Sequence, residues 1–504
     1  MLPFDPAGIV LDRRRGLSNQ LYQALRLRIL DGRLSSSARL PATRDMATIL
    51  ELSRNSVVRA YEQLYAEGFI ESRVGDGTYV SQLAKLSTQL STGLYPRLST
   101  GLSTISADDT EDLSSPAAAS EPLERVKSHH LPAPKSGDPR AFRVGVPAFD
   151  LFPFPIWAKL QAAYWRNPDP AQLGYGDPAG ERLLRELIAT YMRRSRGLSC
   201  TAEQIVITNG AQQAISLCAQ SLLVPGDRVA VENPGYRAAG NAFAMTGAHV
   251  DGVPVDNEGL DCERLADLGA CRLAYVTPAH QYPTGVTMSL ARRLALLAWA
   301  ERNDGWIIED DYDGEYRYTG APLAPLAALD RQGRVIYVGT FGKIAFPALR
   351  LGYLVLPPHL AQPFSQARAL AVRHSEVSTQ VVMAQFMAQG HFQRHIRRMR
   401  RAALARRDVL KAGWPTDIPG VGPMPAVDAG LHVKVDVDNF SREQELVAKA
   451  EAVGVEINPL SSYWLDDSDT PVDNRAGLVL GFAAVPERDI AEALLRLRKA
   501  WNKA

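Results

Sequence analysis

The sequence predicts a multidomain protein: a small N-terminal winged helix-turn-helix (α+β), a linker, and an α/β body with a smaller α+β C-terminal domain. Three observations carry that reading. The chain has 504 residues, more than one hydrophobic core organises. Helical periodicity from Leu17 to Leu64 gives way to an alternating run with a Gly-Asp-Gly turn. Beyond Phe142, strand-like runs alternate with amphipathic stretches.

Composition narrows the class. With 46% hydrophobic and 22% charged residues, the chain is too apolar to be mainly disordered. A net charge of +1 gives no whole-chain field for nucleic acid or membrane, so any such binding must come from a local patch. Cys200, Cys218, Cys262 and Cys271 form no CxxC pair and have no histidine-rich partner segment, which argues against a metal site or disulfide framework and for a reducing compartment. The N-terminus lacks a signal peptide's apolar core, and no run approaches the roughly 20 apolar residues of a membrane span. The expectation is a soluble, cytoplasmic protein.

In the head, expected over residues 11–82, Leu17 to Leu30 has helical spacing and stops at Asp31-Gly32. Thr43 is an expected N-cap for a second helix through Leu50. Arg54 to Leu64 reads as a third helix with Val57, Ala60, Tyr61 and Leu64 inward, and FIESRVGDGTYV as a hairpin. The start of the third helix carries Arg54, Asn55, Ser56 and Arg59, donor types that reach base edges and phosphates in a major groove. Arg44 on the second helix, with Arg73 and Gly77 on the hairpin, can touch the DNA backbone. The competing reading is a helical interaction domain with merely solvated arginines.

Residues 83–140 shift to repeated Leu-Ser-Thr and then to Asp, Ser, Pro and Ala, a composition that cannot bury a core and reads as a flexible tether.

The body is expected over residues 141–504, with a large domain at about 175–375 and a small one mainly at 400–504. Its strand-like runs are Gln204–Thr208, Arg228–Glu232, Leu273–Thr277, Trp306–Asp310 and Val335–Gly339, in an order that argues for a mostly parallel sheet with sites at strand ends. Asn209-Gly210-Ala211-Gln212 leads from a strand into a helix, an anion seat. Tyr236 follows a strand and a tight turn, where its ring can stack on a flat heterocycle. His280 and Tyr282 lie in the donor-rich turn TPAHQYPTG, where a histidine is more often a satisfied loop residue than a catalyst. WIIEDDYDGE ends an apolar strand in carboxylates around Tyr312; either Asp310 or Asp311 suits a protonated ring nitrogen, and no histidine accompanies them to suggest a metal. VIYVGTFGK delivers Lys343 at a strand end, where desolvation favours the neutral nucleophile, and Arg350 can clamp a phosphate. The basic run HIRRMRRAALARR, residues 395–407, reads as a solvated face or a DNA-phosphate contact.

Two resemblances follow from these segments. LPATRDMATILELSRNSVVRAYEQLYAEGFIESRVGDGTYV resembles the DNA-binding domain of GntR-family bacterial repressors, with Ala42-Thr43 where that family usually has serine and glutamate. From Gly174 onward the motifs, in their order, resemble the fold-type-I pyridoxal-phosphate aminotransferases. That likeness implies a Schiff base between Lys343 and pyridoxal 5'-phosphate, Asp310 on the pyridine nitrogen, Tyr312 on the phenolic oxygen and Tyr236 stacked on the ring. It implies Gly210, Ala211, Gln212, Thr340 and Arg350 at the phosphate, and Tyr175 reaching the neighbouring subunit's phosphate, hence a homodimer. Arg475 and Tyr282 would meet the effector, Arg475 its carboxylate. Tyr282 departs from a common asparagine, and Gly342 from a common serine.

The fusion resembles the MocR-type regulators, a GntR branch. It implies a regulator that binds a double-stranded operator and senses a small amino compound, or the cofactor itself. The rival is a working aminotransferase with an accessory head; residual transaminase activity fits either.

Overall fold

A computed structural model describes residues 9, 11–12, 16–73, 76–81, 121–129, 137–319, 323–465 and 470–502. They fall into two compact units, 1–116 and 117–504. No helix among the described residues is long and apolar enough to cross a membrane.

The head has helices α1 (Leu17–Leu30), α2 (Thr43–Ile49) and α3 (Arg54–Ala66), and strands β1 (Arg39–Leu40), β2 (Ile70–Arg73) and β3 (Gly77–Val80). The strands form an antiparallel sheet in the order β1-β3-β2. Leu21, Leu25, Met46, Val57 and Leu64 are fully buried at its core, as their helical spacing requires. Ser53 caps α3, its Oγ accepting from the Ser56 amide at 3.1 Å. The expected cap at Thr43 is corrected: Ala42 is the cap residue and Thr43 is already helical, because the Met46 amide closes the first turn on Ala42 O at 2.9 Å. Strand β1 has no counterpart in the sequence reading; two residues carry no periodicity.

The expected tether lies outside the described residues except over 121–129 and 137–140. There it differs from a structureless linker, because Glu121–Ser128 is a helix. His129 O, just after it, accepts from Asn241 Nδ2 at 3.1 Å, so this end rests on the body.

The body is built on an eight-stranded sheet in the order β4-β11-β10-β9-β8-β5-β6-β7. These are β4 (Ile205–Thr208), β5 (Arg228–Asn233), β6 (His249–Asp256), β7 (Gly259–Leu260), β8 (Leu273–Val276), β9 (Trp306–Asp311), β10 (Val335–Thr340) and β11 (Gly352–Val355). Neighbours from β10 through β9, β8 and β5 to β6 run parallel, and β11 is antiparallel to both β4 and β10. Strands β4, β8 and β9 are buried at every residue; β4 and β8 are near-continuous apolar runs, whereas β9 passes from Trp306-Ile307-Ile308 into the buried acids Glu309, Asp310 and Asp311.

The C-terminal lobe is an antiparallel sheet, β12 (His432–Asp436), β14 (Gly477–Gly481) and β13 (Asn458–Pro459), under helices His391–Gly413, Phe440–Ala452 and Glu487–Trp501. Ala141 and Phe142 belong to this lobe's core, and the Gly481 amide donates to Phe142 O at 2.9 Å. The start of the body therefore packs with its end, a pairing that no local pattern announces.

Candidate functional site

The parallel strands deliver their C-terminal ends to one edge of the sheet, and a cavity of about 230 Å³ opens there. Gly210, Ala211, Gln212, Tyr236, Tyr282, Asp310, Tyr312, Thr340, Lys343 and Arg350 all line it, brought from six segments of the sequence.

Lys343 leaves β10 through the turn that Thr340 stabilises, its Oγ1 accepting from the Gly342 amide at 3.1 Å. Its backbone is held by Tyr316, whose hydroxyl donates to Lys343 O at 2.7 Å. The Nζ donates to Gly145 O at 2.7 Å, 198 residues away in the chain. Burial pushes the amine's pKa down, against the opposing pull of Asp313 and Asp310.

Alternation along β9 settles which carboxylate faces the cavity. Asp310 lines it, with Oδ2 accepting from Tyr275 at 2.7 Å and Oδ1 buried without a hydrogen-bond partner. Burial raises this carboxyl to about 7, although the Tyr275 bond lowers it. Asp311 points the other way, into a fully buried pair with Arg196 that Tyr337 joins at 2.7 Å.

Tyr312 donates to His280 O at 2.9 Å and lies 3.0 Å from His280 Nδ1, which is itself 3.0 Å from Asp313 Oδ2. His280, Asp313 and His432 offer ligand atoms within 4.8 Å of one another. They are already engaged, His432 Nε2 with Pro283 O at 3.1 Å. Tyr236 donates to Gln212 Oε1 at 3.0 Å, which fixes its ring over the mouth of helix Ala211–Leu222.

Gly210 opens that helix at φ +81°, a conformation glycine adopts without strain. A Cβ there would lie 3.4 Å from the Arg350 guanidinium, so the bare backbone lets the two approach. Arg350 is held in the left-handed region at φ +50°, and its Nη2 donates to Asn209 O at 2.8 Å.

Two expected site residues stand elsewhere. Tyr175 is 85% exposed, with its ring under Arg373 and outside the chain's own cavity. Arg475 sits on the turn Val472–Arg475, donates to Thr470 O at 2.7 Å and lies over the Trp464 ring, and it is not among the residues lining the cavity. Conversely, Tyr275, His432, Leu431 and the Val144–Gly145 turn line the cavity and had no signal beyond apolar or loop composition.

In the head, Arg44, Arg54, Asn55 and Arg59 are exposed, whereas Ser56 is half-buried with its hydroxyl 2.8 Å from Ser53 Oγ. Arg73 pairs with Glu71 at 3.1 Å and stacks on Tyr79, and Gly77 sits at φ +134° against Arg39. On the basic helix, Arg400, Arg406 and Arg407 are spent on internal carbonyls, and Arg397 and Arg401 are exposed.

Comparison with known proteins agrees with both units. Residues 17–80 match the family "Bacterial regulatory proteins, gntR family", and residues 142–430 match "Aminotransferase class I and II". The chain is 35% identical over 497 residues to the "Probable rhizopine catabolism regulatory protein MocR" of Rhizobium meliloti, covering 98% of this chain and 96% of that one. It is 31% identical to the "HTH-type pyridoxine biosynthesis transcriptional regulator PdxR" of Corynebacterium glutamicum, covering 96% of each. Among solved structures, the kynurenine aminotransferase of Pyrococcus horikoshii in complex with PMP superposes with a TM-score of 0.65 at 29% identity, over 77% of this chain and 95% of that one.

Proposed function

This chain belongs to the GntR family of bacterial regulatory proteins, in the MocR-type branch with an aminotransferase class I and II body, and we propose that it regulates transcription in response to a ligand bound beside Lys343. The observation that carries this reading is the convergence of Lys343, Asp310 and Arg350 on one cavity, in a chain whose head keeps Arg54, Asn55 and Arg59 exposed.

The residues fit pyridoxal phosphate as cofactor, because Asp310 Oδ1 is buried without a partner and a protonated ring nitrogen is the donor such a group lacks. When bound, the cofactor supplies an aldehyde that condenses with amines and a ring that withdraws electrons. Lys343, kept more readily neutral by burial, is the chain's nucleophile for that aldehyde. The helix N-terminus at Gly210 to Gln212, the Thr340 hydroxyl and the Arg350 guanidinium together suit a phosphate. Tyr236 would lie against the ring, and the Tyr312 hydroxyl, 3.0 Å from His280 Nδ1, would serve its phenolic oxygen. The exposed Tyr175 would complete the phosphate site of a second copy, so the working unit is a homodimer.

An amine entering the cavity meets Tyr282, whose hydroxyl donates to Tyr463 of the C-terminal lobe at 3.3 Å. That lobe is pinned to the end of β5 nearby: the Gly235 amide donates to Tyr463 O at 3.1 Å, and the Leu465 amide to Asn233 Oδ1 at 3.0 Å. A ligand that prefers one arrangement of these contacts shifts the body between states, and differential affinity is what transmits the signal.

Purified protein incubated with pyridoxal phosphate is expected to show a visible band that Lys343→Ala abolishes, and to retard its operator in a gel. Steady transamination of common amino acids with no operator shift would overturn the regulatory reading.

A further inference from the structure

We propose that the cavity selects amines that lack a carboxylate, held at their far end by neutral tyrosines. This rests on the cavity being a pyridoxal-phosphate site and names the ligand class it senses.

Among the described residues, Lys343 and Arg350 are the only lysine or arginine side chains lining the cavity. Lys343 is the covalent anchor. Arg350 stands at the Gly210 end, tied to Asn209 O at 2.8 Å, where the phosphate is expected. Arg475, the residue the sequence offered for a carboxylate, is held outside by Thr470 O and the Trp464 ring. His432, which also lines the cavity, is driven well below the usual histidine range by burial and by neighbouring His280, so it is neutral.

The wall beyond the ring is aromatic and uncharged. Tyr282 lines it and packs edge-on to Tyr463 at 5.3 Å. Behind Tyr282, Leu460, Tyr463 and Val479 form an apolar cluster with Val144. Burial raises the Tyr282 phenol well above its ordinary pKa, so it stays neutral. Its proton goes to Tyr463 Oη, which also accepts from Asn458 Nδ2 at 2.7 Å. Beneath lie the buried carboxyls of Asp310 and Glu232.

Magnitudes decide the case. Taking an uncompensated carboxylate out of water costs more than a single phenol hydrogen bond returns, and the Tyr282 proton is already committed. An amine with an aromatic or hydroxylated body incurs no such penalty and gains ring contact and hydroxyl partners.

The test uses full-length protein loaded with pyridoxal phosphate and matched probes: tyramine against tyrosine, and putrescine against ornithine. The visible band is titrated with each. The expected result is that each amine perturbs the band at a concentration at least tenfold below that of its amino acid, in wild type and in Arg475→Ala alike. Amino acids acting at equal or lower concentration would overturn the proposal. So would a selective loss of amino-acid response in Arg475→Ala, or a band that neither member of any pair perturbs. A chain that never forms the band refutes the cofactor reading first, and this inference with it.

Discussion

The start of α3 and the floor of the body's cavity treat polar side chains in opposite ways. In the head, Arg54, Asn55 and Arg59 stand in water on a helix fixed by a single serine cap, and the apolar residues beneath do the folding. In the body, Asp310, Asp311, Glu232 and Lys343 are drawn inward and held by tyrosines, an arginine, the Thr277 and Gln281 side chains and a backbone carbonyl. An exposed array can be assembled from one short stretch of sequence. A buried one needs partners from distant segments, because each charge taken out of water must be compensated. DNA recognition and ligand sensing are therefore separable by mutation, and three measurements probe that separation.

The largest effect is expected at the buried Arg196–Asp311 pair. Arg196→Met strands Asp311 and should cost the body about 3–5 kcal/mol, read as a lowered unfolding midpoint in denaturant. The head's own transition should not move; a shared shift would break the comparison.

Next is a pH effect confined to the body. Burial raises Glu232 to about 7, against the bonds it accepts from Thr277 and Gln281. Its folded pKa lies above the unfolded value, so its stabilising contribution is complete below about pH 4.3 and is lost as pH rises through about 7. The loss is on the order of 3 kcal/mol. Glu232→Gln should flatten the fall in body stability across that window, measured by thermal melts at stepped pH.

The smallest expected change lies in the head. Arg54→Ala should weaken operator binding by about 1–3 kcal/mol, read by fluorescence anisotropy, and leave the body's visible band unchanged.

The same contrast explains what could be read in advance. Helices α1 and α3, the wing and the five central strands are local patterns, and each was visible as such. Lys343 and Arg350 stand out locally because of the turn that follows a strand, whereas the local pattern leaves Asp310 and Asp311 both open and only the resemblance chooses Asp310. Tyr275 was not visible, because a tyrosine within LAYV differs in no local way from a packed one; only its reach to Asp310, 35 residues on, reveals it. Arg475 came from the likeness alone, because an arginine before a strand does not announce which way the preceding turn faces. The docking of Ala141 and Phe142 into the C-terminal lobe depends on contacts across hundreds of residues, where no spacing carries information.

The central claim is that occupancy beside Lys343 changes how the head binds DNA. Its most direct test is the affinity of the full-length protein for the intergenic DNA flanking its own gene, measured by anisotropy at fixed salt in three states: without cofactor, with pyridoxal phosphate, and with pyridoxal phosphate plus saturating tyramine. The account predicts a change of about fivefold or more between at least two of these states, absent in Lys343→Ala. Superimposable binding curves in all three states of the wild type would contradict it.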